Sequence, residues 1–182
     1  MNPLLRRRLL RTGALGAFAM SASSAFVLWE NFGRSEPPEV LRLSSPVPQF
    51  SLPALGDGEG FGSGDLARQP KPVLINFFAS WCGPCAQEAP VLLALREQGL
   101  TIWGVAYKDR PDATRAFLQQ HGDPYARVAR DDSGAAGREF GLFGVPESFL
   151  VDPLGVVRWH WTGGLSEDTV RRSLSPRLKA VS

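Results

Sequence analysis

The sequence predicts an α/β domain, one sheet with helices on both faces, behind an N-terminal segment directed to a membrane. Three observations carry that reading. From residue 42 onward, short apolar runs alternate with helix-patterned stretches. At the N-terminus, a cluster of arginines precedes a stretch without charge. The chain's two cysteines stand three positions apart, where an apolar run meets a helical pattern.

The chain divides into a basic N-terminus with an anchor or signal (1–29), a linker (30–41) and a folded domain (42–182). Arg6, Arg7, Arg8 and Arg11 precede Thr12 to Trp29, which carry no charged side chain. As a helix that stretch would reach about 27 Å, close to the thickness of a bilayer's hydrocarbon core. The arginines favour a cytoplasmic N-terminus with the rest of the chain translocated. Small residues at Ala22 to Ala25 keep a cleaved signal open, and Arg6-Arg7-Arg8-Leu9-Leu10 loosely fits a twin-arginine address. Each of these readings places the domain outside the cytoplasm. The polar, proline-containing linker reads as a tether.

Within the domain, Val47 to Leu55 alternates between prolines and predicts an edge strand. Gly56 to Gly64 is a glycine-rich loop without a phosphate-binding pattern. Pro72 to Ala79 is a run apolar enough for a strand buried on both faces. Helical spacing runs from Ala86 to Gln98, with a kink expected at Pro90. Thr101 to Tyr107 predicts a second buried strand, Asp112 to His121 an amphipathic helix, and Tyr125 to Ala129 a short strand. Ser133 is placed as the cap of a helix running to Phe140. Ser148 to Val151 and Val156 to Trp161 predict a hairpin around Asp152-Pro153-Leu154-Gly155. Ser166 caps a last helix, with Glu167 and Asp168 in its first turn.

The net charge of +2 misstates the domain. Setting the four N-terminal arginines aside, sixteen of the twenty basic residues face eighteen acidic ones, and no basic patch points to nucleic acid. Two cysteines are too few for a disulfide-stapled scaffold, and so short a loop constrains the unfolded chain little. A closed zinc site needs four ligands; His121 and His160 are both remote from the pair, so no metal is expected. Covalent haem attachment would need histidine after Cys85, where Ala86 stands. The remaining reading is redox. Cys82 lies where a strand hands over to a helix, and the unpaired N–H groups of a helix start stabilise a thiolate. Cys82 is then an exposed attacking thiol and Cys85, one turn on, a shielded resolving thiol; no cofactor beyond the Cys82–Cys85 disulfide is needed. Trp81 is expected to shield that disulfide. His121 is expected in solvent, and His160, between Trp159 and Trp161, to face away from them; neither is given a catalytic role.

Trp81-Cys82-Gly83-Pro84-Cys85 after an apolar strand resembles the thioredoxin superfamily. With Tyr107-Lys108-Asp109, the run Gly144 to Asp152 and the N-terminal anchor, it is similar to the DsbE/CcmG-type thiol:disulfide interchange proteins of cytochrome c maturation. The resemblance covers about residues 42 to 175. It implies a thioredoxin fold with an N-terminal strand extension and a central helix–strand insert. Pro146 alone reads as a trans proline opening a strand; the resemblance implies a cis-proline beside the cysteines, with Val145 and Pro146 meeting an extended substrate. In thioredoxins a buried acid lies five residues before the tryptophan. Asn76 stands there, so the resemblance turns attention to Glu88 and Glu147 as acidic groups near the site.

The implied activity is a periplasmic reductant held in the bacterial inner membrane. Its clients would be disulfides in apocytochrome c or in a maturation partner, and a membrane thiol reductase would resupply electrons. The Gly83-Pro84 dipeptide is that of thioredoxin, whose potential is about −270 mV. Two alternatives remain: a general extracytoplasmic reductase with other clients, and a non-catalytic assembly module on the same fold. A Cys82/Cys85 double variant that kept full function would favour the module.

Overall fold

The computed structural model describes residues 43–181. Among them no helix is long and apolar enough to cross a membrane; the expected anchor, residues 12–29, and the whole linker, residues 30–41, lie outside the described residues.

The elements run β1 (Ser51–Leu52), β2 (Phe61–Gly62), α1 (Ser63–Leu66), β3 (Val73–Phe78), α2 (Gly83–Glu97), β4 (Thr101–Tyr107), α3 (Pro111–His121), β5 (Arg127–Asp131), α4 (Ala135–Glu139), β6 (Glu147–Val151), β7 (Val157–Thr162) and α5 (Glu167–Thr169). A π-helical turn, Val170–Leu174, then leads into α6 (Ser175–Val181). The main sheet has the order β5-β4-β3-β6-β7. β3, β4 and β5 are parallel, while β6 and β7 reverse direction in turn. This is a thioredoxin-like sheet with α3 and β5 as the inserted unit.

Strand alternation assigns the two cores. From β3, Leu74 and Phe78 join Leu92 and Leu95 of α2, Phe117 and Leu118 of α3, and Leu174 on one face. Val73, Ile75 and Phe77 join Phe61, Trp103, Phe140 and Phe149 on the other. All six residues of β3 are buried, which is why its sequence is an unbroken apolar run save Asn76.

The N-terminal region departs from the predicted single strand. β1 and β2 form a two-stranded sheet, so part of the expected glycine-rich loop is paired. Phe61 is the cause: it is buried against Trp103, ring centroids 4.8 Å apart, and draws the segment onto the sheet. The glycines permit the approach, since a Cβ on Gly60 would fall 1.8 Å from the Leu52 carbonyl oxygen. Prolines 48 and 53 break the rest of the expected strand, because proline has no N–H to donate. Isolated bridges, Pro46 to Val156 and Ala54 to Ala129, tie it down instead.

Smaller corrections have local causes. Helix α2 runs through Pro90 and starts three residues earlier than predicted, with Pro84 in its first turn, where a missing N–H costs nothing. The cap of α4 is Gly134 at φ 70°, not Ser133, whose hydroxyl accepts from Ala135 N–H (3.2 Å). The β6–β7 hairpin forms as predicted, one residue out of phase. Asp152 ties it by accepting from the N–H groups of Leu154 and Val156 and from Arg158 Nε. Those donors hold its carboxyl below the ordinary aspartate range, against the opposing effect of burial.

Candidate active site

The cysteine pair sits at the junction that the sequence predicts. β3 ends at Phe78, and four residues later Cys82 caps α2 in extended geometry (φ −95°, ψ 103°). Its Sγ accepts from Cys85 N–H at 3.2 Å, a helix-start amide that it shares with the Cys82 carbonyl oxygen at 3.1 Å. The two cysteines form a disulfide with Cα atoms 5.3 Å apart. Asp109, just past β4, fixes the approach: its carboxylate accepts from Ser80 N–H (2.7 Å), Ser80 Oγ (2.8 Å) and Thr114 Oγ1 (2.8 Å).

The expected contrast between an exposed and a shielded sulfur is not what the oxidised protein shows. Cys82 is 4% exposed and Cys85 2%. A loop 63 residues further on covers Cys82: the Val145 carbonyl oxygen lies 3.4 Å from its Sγ, and the Val145–Pro146 peptide is cis, as the resemblance implied. Trp81 is 61% exposed, and its indole N–H donates to the Lys108 carbonyl at 3.3 Å. Phe143, 73% exposed, precedes the cis-proline loop, so the chain near the disulfide carries two solvent-facing aromatics. Gly83 and Pro84 are exposed between the cysteines.

The two expected acids part company. Glu88 is buried one turn beyond Cys85 on the same helical face. Its Oε1 accepts from Asn76 Nδ2 (2.9 Å) and its Oε2 from Leu165 N–H (2.8 Å). Burial raises its pKa to about 7, with those two donors pulling the other way. Glu147 is fully buried on the opposite face of the sheet. Its Oε2 accepts from Phe143 N–H (3.0 Å), while its Oε1 lies 2.5 Å from His160 Nε2 and accepts from Thr162 Oγ1 (3.3 Å). Glu147 therefore ties the loop ahead of Val145 to β7.

Sequence reasoning missed two partners. His160 does face away from Trp159 and Trp161, which stack on each other, but it lies flat on Phe149 and binds Glu147. His121 is half-buried against the Phe117 ring rather than free in solvent. Tyr125, assigned only to a strand, reaches Asn76 from 49 residues away. The available signal was Gly104, the residue paired with Asn76 in the sheet, where a small residue in a buried strand leaves room for a neighbour.

Comparisons with known proteins agree with this geometry. Residues 43–160 match the family described as AhpC/TSA. The chain is 40% identical over 136 residues to the thiol:disulfide interchange protein HelX of Rhodobacter capsulatus, spanning 75% of this chain and 77% of that one. It is 33% identical over 166 residues to the thiol:disulfide interchange protein DsbE of Escherichia coli K12, spanning 88% and 90%. A solved structure described as a thiol:disulfide interchange protein DsbE from Chlorobium tepidum is similar with a TM-score of 0.66 at 27% identity, over 78% of this chain and 98% of its own.

Proposed function

The chain belongs to the AhpC/TSA family and is a thiol–disulfide oxidoreductase, and from that premise we propose that it works outside the cytoplasm as a reductant of disulfides in apocytochrome c or its maturation partner. The observation that carries the reductant reading is the Cys82 sulfur at the amide end of α2, with Gly83-Pro84 between it and Cys85. The DsbE and HelX relatives support the choice of client, and the arginines ahead of residues 12–29 support an inner-membrane anchor with the domain in the periplasm.

In the reduced protein the Cys82 thiolate attacks one sulfur of the client disulfide; a Cys82–client S–S bond forms and the other client sulfur leaves as a thiolate. Cys85 then gives its proton to Glu88 and attacks the Cys82 sulfur. The Cys82–Cys85 bond forms, the second client thiolate leaves, and the client has gained two electrons. Two protons complete its thiols, one of them from Glu88. A membrane thiol reductase returns two electrons to the disulfide. Val145 presents its backbone to the client beside Pro146, and Glu147 holds that loop in place; Trp81 and Phe143 offer apolar surface to the client on either side.

Equilibration of the domain with glutathione tests the direction of electron flow. A potential near thioredoxin's, about −270 mV, is expected; one near that of a strong oxidase, about −120 mV, would overturn the reductant role. Normal c-type cytochromes in a Cys82→Ser strain would shift the reading to a general reductase.

A further inference from the structure

Beneath α2 a row of polar groups crosses a sheet that is otherwise apolar on that face. Asn76 in β3 is fully buried and paired in register with Gly104 of β4 on one side and Ser148 of β6 on the other. Its Nδ2 donates to Glu88 Oε1 (2.9 Å) and Ser148 Oγ (3.0 Å). Its Oδ1 accepts from the Tyr125 hydroxyl at 2.7 Å. Gly104 makes room for that phenol, since a Cβ there would lie 2.8 Å from the Tyr125 ring. The ring is further fixed by stacking on Phe78, centroids 4.8 Å apart.

The direction of this chain matters. A carboxamide has an acceptor end and a donor end, and nothing in its shape distinguishes them. The tyrosine hydroxyl, by donating to Oδ1, obliges Nδ2 to face Glu88. Turned over, the amide would offer oxygen to the carboxylate and favour its protonated form. Asn76 and Tyr125 lie 49 residues apart in sequence, and their hydrogen bonds lead to Glu88, so their effect on the reaction passes through that carboxylate.

We infer that Asn76, oriented by Tyr125, is a positioning residue that keeps the Glu88 carboxylate open to receive the Cys85 proton. The inference rests on the reading of Glu88 as the group that takes that proton. The packing of a small residue, Gly104, against a buried tyrosine makes this arrangement a built one. A phenol whose own ionisation is pushed well above its ordinary value, chiefly by burial and then by the Glu88 charge, stays a donor throughout the working range.

The test is single-turnover reduction of a disulfide-bonded peptide by the full chain, followed as release from the mixed disulfide between pH 5 and 9. Tyr125→Phe frees the Asn76 amide to turn. Its release midpoint is expected to move up by about one unit, the size of a lost hydrogen bond to a charged group, so that release at pH 7 slows roughly fivefold. Alkylation of Cys82 should be unchanged, which a general loss of packing would not spare. A Tyr125→Phe protein that is folded and keeps the wild-type midpoint overturns the inference. If that variant does not fold, the side-chain amide 15N resonance of Asn76 in the unaltered chain decides: it should titrate with the midpoint of release, and a resonance invariant from pH 5 to 9 overturns the inference. Glu88→Gln separates the two layers. Should it leave the release profile unmoved, the Glu88 reading fails; should it move the profile while Tyr125→Phe does not, only the role of Asn76 and Tyr125 fails.

Discussion

Glu88→Gln is expected to make the protein more stable above neutral pH and less competent in exchange. The carboxyl of Glu88 has its pKa raised from 4.5 to about 7 in the fold, chiefly by burial. Between those values the folded protein holds a proton that the unfolded chain has released. Folding stability therefore falls as pH rises through this window, and below 4.5 the difference vanishes because both states are protonated. The full displacement corresponds to about 3 kcal/mol at most. Glutamine removes the liability, and its amide oxygen can still accept from one of the two donors, Leu165 N–H or Asn76 Nδ2. Urea unfolding should thus show little difference between variant and wild type at pH 4, and a gain approaching about 3 kcal/mol at pH 8. Release from the mixed disulfide should slow by about a hundredfold, the low end of general-base catalysis. A variant less stable than wild type at pH 8 would show that the hydrogen bonds outweigh the desolvation. Such a group, retained at a cost in stability beside a reactive pair, is what a functional site looks like energetically.

The second large effect separates the two sulfurs. Cys85→Ala should leave Cys82 able to attack a client but remove the thiol that displaces the adduct. Stable mixed disulfides through Cys82 should accumulate, in cells and with a purified disulfide peptide. Cys82→Ala should yield almost none, because Cys82 alone caps α2, where the Cys85 N–H donates to its sulfur and favours the attacking thiolate. Equal adducts from both variants would mean that the sulfurs are interchangeable, contrary to the asymmetry that α2 imposes. The trapped partners would also identify the client class, and adducts devoid of cytochrome c maturation proteins would favour a general reductase.

The parts of this molecule legible in the sequence are those whose causes are local. Thr101 to Tyr107 is recovered to the residue as β4, since a strand buried on both faces needs an unbroken apolar run. Ser166, Glu167 and Asp168 start the last helix as read, with Ser166 Oγ accepting from Thr169 N–H at 3.1 Å. The cysteine pair is legible for the same reason, as the strand-to-helix handover lies within a few residues of it. What escaped depends on distant contacts. Phe61 becomes part of a strand only because Trp103 receives it. Cys82 is covered by Val145, on a loop 63 residues away. Glu88 and Glu147 look alike as acids near the motif, yet sheet alternation sends them to opposite faces, one under α2 and the other to His160. Asn76 reads as a departure from the thioredoxin pattern; the fold bonds it to Glu88 at 2.9 Å, an acid on the helix above the strand.

Competitive alkylation of the fully reduced protein at pH 7, with the two cysteines resolved by mass spectrometry, bears most directly on the proposed chemistry. If the amide end of α2 holds Cys82 as an anion, that residue should be labelled about tenfold faster than an ordinary free thiol and far ahead of Cys85. Labelling of Cys82 no faster than a free thiol, or behind Cys85, would contradict it.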